Sequence, residues 1–126
     1  MRHACTGPEF SDDTYVEALG AVGLASELYT DAELFAVVAE RIAAGDVVGW
    51  FQGRMEFGPR ALGNRSILGD PRSPEMQSRM NLRVKFRESF RPFAPAVLAD
   101  RASEFFELDG PSPYMLLVAP VRQSLR

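Results

Sequence analysis

Apolar residues recur at helical spacing in two stretches of the N-terminal third of the chain. The first stretch follows Ser11, a good helix cap, and two aspartates suited to a first turn. The second begins at Thr30, whose hydroxyl can form a capping box with Glu33, and ends before Gly45. Its apolar stripe consists of Leu34, Val37, Val38 and Ile42. The pattern predicts two helices, preceded by an irregular lead-in at residues 1–10.

Shorter apolar runs predict strands. Residues 47–51 follow the second helix directly and read as a buried strand, and residues 66–68 read as a second short strand. Residues 94–98 include Pro95 and so predict an edge strand, and residues 114–121 predict a further apolar strand.

Two more helices are predicted between and after these runs. Ser73 and Pro74 mark the start of a helix that continues to about Val84, with its methionines filling the core. Residues 100–106 predict a short helix. Helices flanking a sheet predict an α/β or α+β fold.

Composition limits the class of protein. The chain has 126 residues, of which 46% are hydrophobic and 25% are charged, as expected for one globular domain. The longest apolar runs fall short of the roughly 20 residues that cross a bilayer, and the N-terminus lacks the pattern of a secretory signal. With one histidine and one cysteine, we expect this chain to bind no metal. A cytoplasmic location is the expectation, without a membrane partner.

Positive charge is concentrated in one segment. Residues 54–91 hold nine basic and four acidic residues, a balance of +5, whereas the whole chain carries −3. The local excess predicts a focused anion site, and the overall acidity makes nucleic acid an unlikely partner.

The stretch from Gln52 to Ser66, here called the central stretch, follows the first predicted strand. It holds three glycines, one proline and three arginines. Glycines allow close approach of the backbone to a ligand, and guanidinium groups match phosphate or carboxylate oxygens. The candidate ligand-binding side chains here are Arg54, Arg60, Asn64, Arg65 and Ser66.

A second basic segment, residues 85–91, interleaves cations with aromatic rings. Its candidate anion ligands are Lys85, Arg87 and Arg91. If the strands pair, this segment and the central stretch can converge at one end of the sheet and hold a polyanion. The nearby candidates for a general base are Glu56 and Asp70. Group transfer by positioning and charge stabilisation suits such a site.

The order of these motifs resembles one enzyme family. Residues 48–68, 70–72, 85–98 and 112–115 resemble the signature of the C-terminal domain of the NodU/CmcH-type O-carbamoyltransferases, and the likeness extends over residues 7–122. The resemblance implies an α+β, YrdC-like domain at residues 11–126, with a twisted mixed sheet and flanking helices. It also implies that this domain is incomplete at its C-terminal end.

The resemblance further implies binding of carbamoyl phosphate and of ATP as co-substrate, to form a carbamoyl-adenylate. Lys85 and Arg87 resemble the Lys-x-Arg element of YrdC-type anion sites and are the implied catalytic residues. In the family, a separate N-terminal, Kae1-like transferase domain passes the carbamoyl group to a hydroxyl of a small-molecule acceptor. Because this chain lacks that domain, we do not expect it to complete the transfer alone.

Two other readings remain open at the level of sequence. The chain could be a catalytically inactive module that binds anions or nucleotides. Alternatively, its interleaved basic and aromatic residues could bind RNA, although the net charge of −3 disfavours this.

Overall fold

The structure is a computed structural model that describes residues 3–126. Its α-helices are α1 (Asp12–Ala21), α2 (Asp31–Ala43), α3 (Met76–Arg79) and α4 (Ala102–Phe105), and its strands are β1 (Val48–Phe51) and β2 (Arg65–Leu68). A π-helical turn, Met80–Val84, continues α3, and 3₁₀ turns lie at Ala99–Arg101 and Gln123–Leu125. This arrangement confirms the predicted α+β class.

Both N-terminal helices begin where the sequence places their caps. The Ser11 hydroxyl accepts a hydrogen bond from the Thr14 amide at the start of α1. At α2, the Thr30 hydroxyl accepts from the Glu33 amide, and the Glu33 carboxylate accepts from the Thr30 amide at 2.9 Å. The capping box therefore satisfies two amides that the helix itself leaves unpaired. The predicted apolar stripe of α2 is its less exposed face.

The two strands form an antiparallel pair. Val48 lies opposite Leu68 and Phe51 opposite Arg65, so the central stretch connects the two strands. On this sheet Trp50 is half-buried, and its ring lies 6.5 Å from that of Phe35 on α2. Helix α2 thus packs on the strand that follows it.

Residues before α1 pair with the central stretch. The Gly7 amide donates to the Met55 carbonyl, the Met55 amide donates to the Pro8 carbonyl, and Cys5 bridges Glu56 in antiparallel fashion. Ala4 is buried. Residues 4–8 of the predicted lead-in therefore support the backbone of the central stretch along one edge, and residues 1 and 2 of the lead-in lie outside the described residues.

Two methionines confirm their predicted role in the core. Met76 on α3 and Met80 at the start of the π-helical turn are both buried, and both pack against Gly69 just after β2. A Cβ atom at Gly69 would lie 2.8 Å from the Met80 sulfur and 2.9 Å from Met76 Cγ. The close approach of Gly69 is what joins α3 to the sheet.

Two predicted strands are wrong. Residues 94–98 and 114–121 have no strand pairing except an isolated bridge between Phe106 and Val121. Pro95 cannot donate to a ladder, and within residues 3–126 neither segment lies beside another strand. The sheet in the described part of the chain therefore has two antiparallel strands, fewer than the mixed sheet that the family resemblance implies.

Much apolar surface is left uncovered. The accessible surface is 10091 Å², whereas a compact monomer of 14.0 kDa exposes ~6700 Å². Residues 93–99 and 111–119 form an apolar groove of about 570 Å³, and Leu116, Leu117 and Val118 are exposed beside it. No helix among residues 3–126 combines the length and hydrophobicity needed to cross a membrane.

We predict that Gly69→Ala destabilises the chain by about 1–2 kcal/mol, because the new methyl group must displace Met76 and Met80. Gly20→Ala on α1 is the matched control. Its Cβ meets nothing within 4 Å, so the better helix former should stabilise by about 0.5–1 kcal/mol. Urea unfolding of both variants measures the two effects. Changes of the same sign in the free energy of unfolding of the two variants would contradict the packing role of Gly69.

Candidate functional site

The central stretch folds around its own carboxylate. Glu56 is only 7% exposed, and its Oε1 accepts hydrogen bonds from the amides of Leu62, Asn64 and Arg65 at 2.8, 2.7 and 3.2 Å. A ring of backbone amides pointing at one oxygen is an anion-binding arrangement. Here the anion is a side chain of the same chain, so these amides serve the fold and are not open to a ligand.

Opposing effects act on the pKa of Glu56. Burial raises the pKa of this carboxyl, but the hydrogen bonds from Leu62, Asn64 and Arg65 favour the ionised form, and the net result is a pKa below the ordinary value of 4.5. A general base at neutral pH needs a higher pKa. The geometry of Glu56 favours a structural role over the role of a base.

Arg65 uses its guanidinium group to hold the two ends of the central stretch together. Its Nη1 donates to the carbonyls of Gln52 and Asn64 at 2.7 and 2.9 Å. Its Nη2 donates to the carbonyls of Gly53 and Pro8 at 3.0 and 3.4 Å. The guanidinium carbon lies 3.5 Å from the centre of the Phe51 ring. A ligand at Arg65 would have to compete with these carbonyls.

Asn64 and Ser66 also make contacts within the stretch. The Asn64 Nδ2 donates to the Arg54 carbonyl at 2.7 Å and to the Cys5 sulfur at 3.3 Å. The Ser66 hydroxyl accepts from the Gly63 amide at 3.0 Å. Both side chains therefore shape the backbone that carries the arginines.

The two other arginines of the stretch are accessible. Arg54 lies 3.9 Å from Glu9, with about half of each side chain exposed, which is a weak surface pair. Arg60 is exposed beside Pro59 at the turn of the stretch. These are the guanidinium groups of the central stretch that a ligand can reach.

A buried asparagine organises the second basic segment. Asn81 has no exposed surface, and its Nδ2 donates to the carbonyls of Ser89 and Arg91 at 3.0 and 2.8 Å. Its Oδ1 accepts from Arg87 Nε at 2.7 Å, and its carbonyl accepts from the Arg87 amide. Sequence reasoning missed Asn81, because a single polar residue beside Met80 in a predicted helix carries no signal of burial.

Arg87 is therefore positioned by its neighbours. Its guanidinium carbon lies 5.0 Å from the centre of the Phe93 ring, and Nε is held by Asn81. Among residues 3–126, its side-chain hydrogen bonds involve Nε alone, so Nη1 and Nη2 retain their donors. Such a group loses little conformational freedom when it binds an anion. Lys85 is exposed two residues before it.

The backbone around Lys85 is unusual. The predicted helix from Pro74 to Val84 instead begins at Met76 and widens into a π-helical turn at Met80. Phe86 then adopts a left-handed φ of 49°, which is costly for a residue with a bulky side chain. Conformations of this kind cost about 1–3 kcal/mol and cluster at functional sites, as π-helical turns do.

Arg91 and Arg72 are paired with acids. Arg91 Nε donates to Glu88 at 3.2 Å on an exposed surface. Arg72 donates to both oxygens of Asp70, and these hydrogen bonds, followed by that from the Arg72 amide, lower the pKa of Asp70 to about 2. Asp70, the other candidate base, is thus ionised and occupied by Arg72 at neutral pH.

The two basic segments are each internally connected, but within residues 3–126 no hydrogen bond or salt bridge joins one to the other. They are linked indirectly, because Gly69 after β2 packs on the helix that leads into residues 85–91. Their convergence on one ligand stays a prediction.

A separate basic cleft was not foreseen from the sequence. Arg41, Arg79 and Arg83 line an open cleft of about 510 Å³ with Asp46 and an apolar wall. Arg79 donates to the Gly45 carbonyl at 2.7 Å and so ties α3 to the end of α2. Arg79 and Arg83 lie four residues apart on one helical segment, but Arg41 comes from α2, and sequence spacing alone gave no signal that it meets them.

Comparison with known proteins gives a consistent picture. Residues 39–126 match the family described as Carbamoyltransferase C-terminus. The chain is 60% identical over 129 residues to the uncharacterized protein sll1178 of Synechocystis sp., covering 100% of this chain and 21% of that protein. It is 51% identical to the nodulation protein NolNO of Sinorhizobium fredii, covering 95% of this chain and 18% of that protein.

A third relative has a named activity. The chain is 44% identical over 88 residues to the 3'-hydroxymethylcephem-O-carbamoyltransferase of Streptomyces clavuligerus, covering 70% of this chain and 17% of that enzyme. The chain thus spans about a fifth of the length of these curated relatives.

We predict that Glu56→Gln lowers the free energy of unfolding by about 2 kcal/mol at pH 7, because three amides lose a charged acceptor. The folded-state pKa of Glu56 is depressed, so its contribution is fully present above about pH 4.5 and is lost as the pH falls through the folded-state value. The difference between the two proteins should therefore shrink below pH 4.5. Urea unfolding at several pH values measures it.

Glu9→Gln is the matched control, because its carboxylate is half exposed and only weakly paired with Arg54. It should change stability by less than about 0.5 kcal/mol. Equal losses in the two variants, or a Glu56→Gln effect that does not depend on pH, would contradict the central role of Glu56.

Proposed function

The chain belongs to the family described as Carbamoyltransferase C-terminus, and on that premise we propose that it binds carbamoyl phosphate and ATP for the formation of a carbamoyl-adenylate. The observation that carries the proposal is Arg87. The side chain is fixed by buried Asn81 and keeps its two terminal nitrogens available beside exposed Lys85. This is the arrangement that bidentate recognition of a phosphate requires.

The charge balance supports two anionic ligands. Residues 54–91 carry +5 in a chain that is −3 overall. Arg54 and Arg60 are accessible on the central stretch, and Lys85 and Arg87 lie on the second segment. Four cations in two groups can offset much of the negative charge of a triphosphate and a carbamoyl phosphate.

In the proposed reaction a carbamoyl oxygen bonds to the α-phosphorus of ATP and pyrophosphate leaves. One water molecule hydrolyses carbamoyl phosphate and releases its phosphate, so pyrophosphate and phosphate are both products. Charge stabilisation by arginine and lysine suits these steps, because both leaving groups are anions. Passage of the carbamoyl group to an acceptor hydroxyl is then proposed for a separate transferase domain.

A second candidate function is binding without turnover. The two candidate bases are already used, Glu56 by three amides and Asp70 by Arg72, and Glu88 next to Arg87 is paired with Arg91. Within residues 3–126 this leaves the proposed site without an acid residue tuned as a base. Under this alternative the chain binds both ligands and releases neither pyrophosphate nor phosphate.

We predict that Lys85→Ala and Arg87→Ala each weaken binding of carbamoyl phosphate or ATP by at least about tenfold, or 1.4 kcal/mol. Calorimetric titration of the 126-residue chain measures the affinity, and a pyrophosphate assay with both ligands present separates reaction from binding. Lys85→Ala changes an exposed side chain and should leave the fold intact.

Arg101→Ala is the matched control, because this exposed arginine is paired with Glu104 outside the two basic segments. Its variant should bind both ligands as the parent chain does. Absence of heat with either ligand would remove the proposal, and unchanged affinity in both Lys85→Ala and Arg87→Ala would place the site elsewhere. Affinity for RNA that falls steeply with salt, without affinity for ATP, would favour an RNA-binding function instead.

A further inference from the structure

The second basic segment displays an aromatic ring that the fold does not use. The side chain of Phe86 is 85% exposed, although Phe is among the residues most often buried in proteins. It lies between Lys85 and Arg87, the two cations of the proposed anion site. An exposed ring at this position has a physical cost in water and no packing role in the described part of the chain.

The backbone that carries this ring is held on both sides. The Lys85 amide donates to the Met80 carbonyl at 2.9 Å, and the Arg87 amide donates to the Asn81 carbonyl at 3.0 Å. Both anchors are buried, and the left-handed φ of 49° at Phe86 lies between them. A strained conformation that is fixed on both sides persists only because the surrounding structure enforces it.

We propose that Phe86 is the stacking surface for the nucleobase of the nucleotide bound by this chain. The assignment rests on the proposed function, in which Lys85 and Arg87 bind the phosphates. A planar ring beside two cations matches a ligand that combines an aromatic base with an anionic tail. Because every base has a π-face, this contact adds affinity for nucleotides without selecting strongly among bases.

Comparison of two ligands isolates the contribution of the base. ATP and inorganic tripolyphosphate both carry three linked phosphates, but only ATP has a base. The parent chain should bind ATP more tightly than tripolyphosphate in calorimetric titrations. Phe86→Ala should weaken binding of ATP about tenfold and leave the affinity for tripolyphosphate unchanged.

Further variants separate stacking from effects on the fold. Phe86→Tyr keeps an aromatic face and should bind ATP as the parent chain does. Phe86→Asn removes the ring with a residue that tolerates a left-handed φ, so it should lose ATP affinity without losing stability. Leu28→Ala, which removes an apolar side chain that is 93% exposed before α2, is the control and should leave both affinities unchanged.

Each remaining outcome overturns the assignment in a recognisable way. Equal losses for ATP and tripolyphosphate in Phe86→Ala, or no loss for either, would remove the stacking role and leave the proposed function standing. Loss of ATP affinity in Phe90→Ala instead would move the role to that ring, which is 73% exposed on the same segment. If the parent chain bound neither ligand, the proposed function and this inference would fail together.

Discussion

The ionised carboxylate of Glu56 is the interaction on which the candidate site depends. It accepts hydrogen bonds from three part-buried amides that the turn from Leu62 to Arg65 would otherwise leave without partners. With those amides satisfied, the chain reverses direction, and β2 can pair with β1 in register. Arg65 completes the same arrangement from the other side, because its guanidinium group donates hydrogen bonds to four backbone carbonyls. The glycine-rich stretch is therefore a rigid support, although its composition suggested an open anion cradle.

Asn81 performs the corresponding task for the second basic segment. Its amide group spans the π-helical turn and the residues that follow, and it fixes Arg87 while leaving that side chain two terminal nitrogens. The contrast between Arg65 and Arg87 is instructive, because the two side chains have the same charge and each lies near a phenylalanine ring. Arg65 donates to backbone carbonyls through both terminal nitrogens, whereas among the described residues Nη1 and Nη2 of Arg87 keep their donors. Their difference arises from the partner that each meets in the fold.

The surface of the chain adds a separate constraint. The accessible area is about half again as large as that of a compact monomer of this mass. Exposed apolar residues occur along the chain from Phe10 to Leu125, and Met115 to Val118 form a continuous run of them at the groove between residues 93–99 and 111–119. In the curated relatives the region that matches this chain is about a fifth of a much longer protein. Exposed apolar area of this kind is typical of surfaces that contact other protein segments.

Local signals in the sequence determined the starts of α1 and α2, the strand pair and the concentration of positive charge. Thr30 with Glu33 and the runs before and after the central stretch specify their structure through neighbours a few residues away. The same signals predicted strands at 94–98 and 114–121, which failed because a strand needs a partner strand and pattern alone does not supply one.

Only the tertiary structure decided which polar groups are free. Glu56 meets amides six to nine residues away, Arg65 reaches Pro8 across 57 residues, and Asn81 is buried by the turn that follows it. Hydrogen-bond partners at such separations depend on the path of the chain, which the identity of a residue does not encode. The sequence thus determined that positive charge is concentrated in residues 54–91. The fold determined that Lys85 is exposed and that Arg87 keeps two nitrogens with unused donors, whereas Arg65 and Glu56 are engaged within the chain.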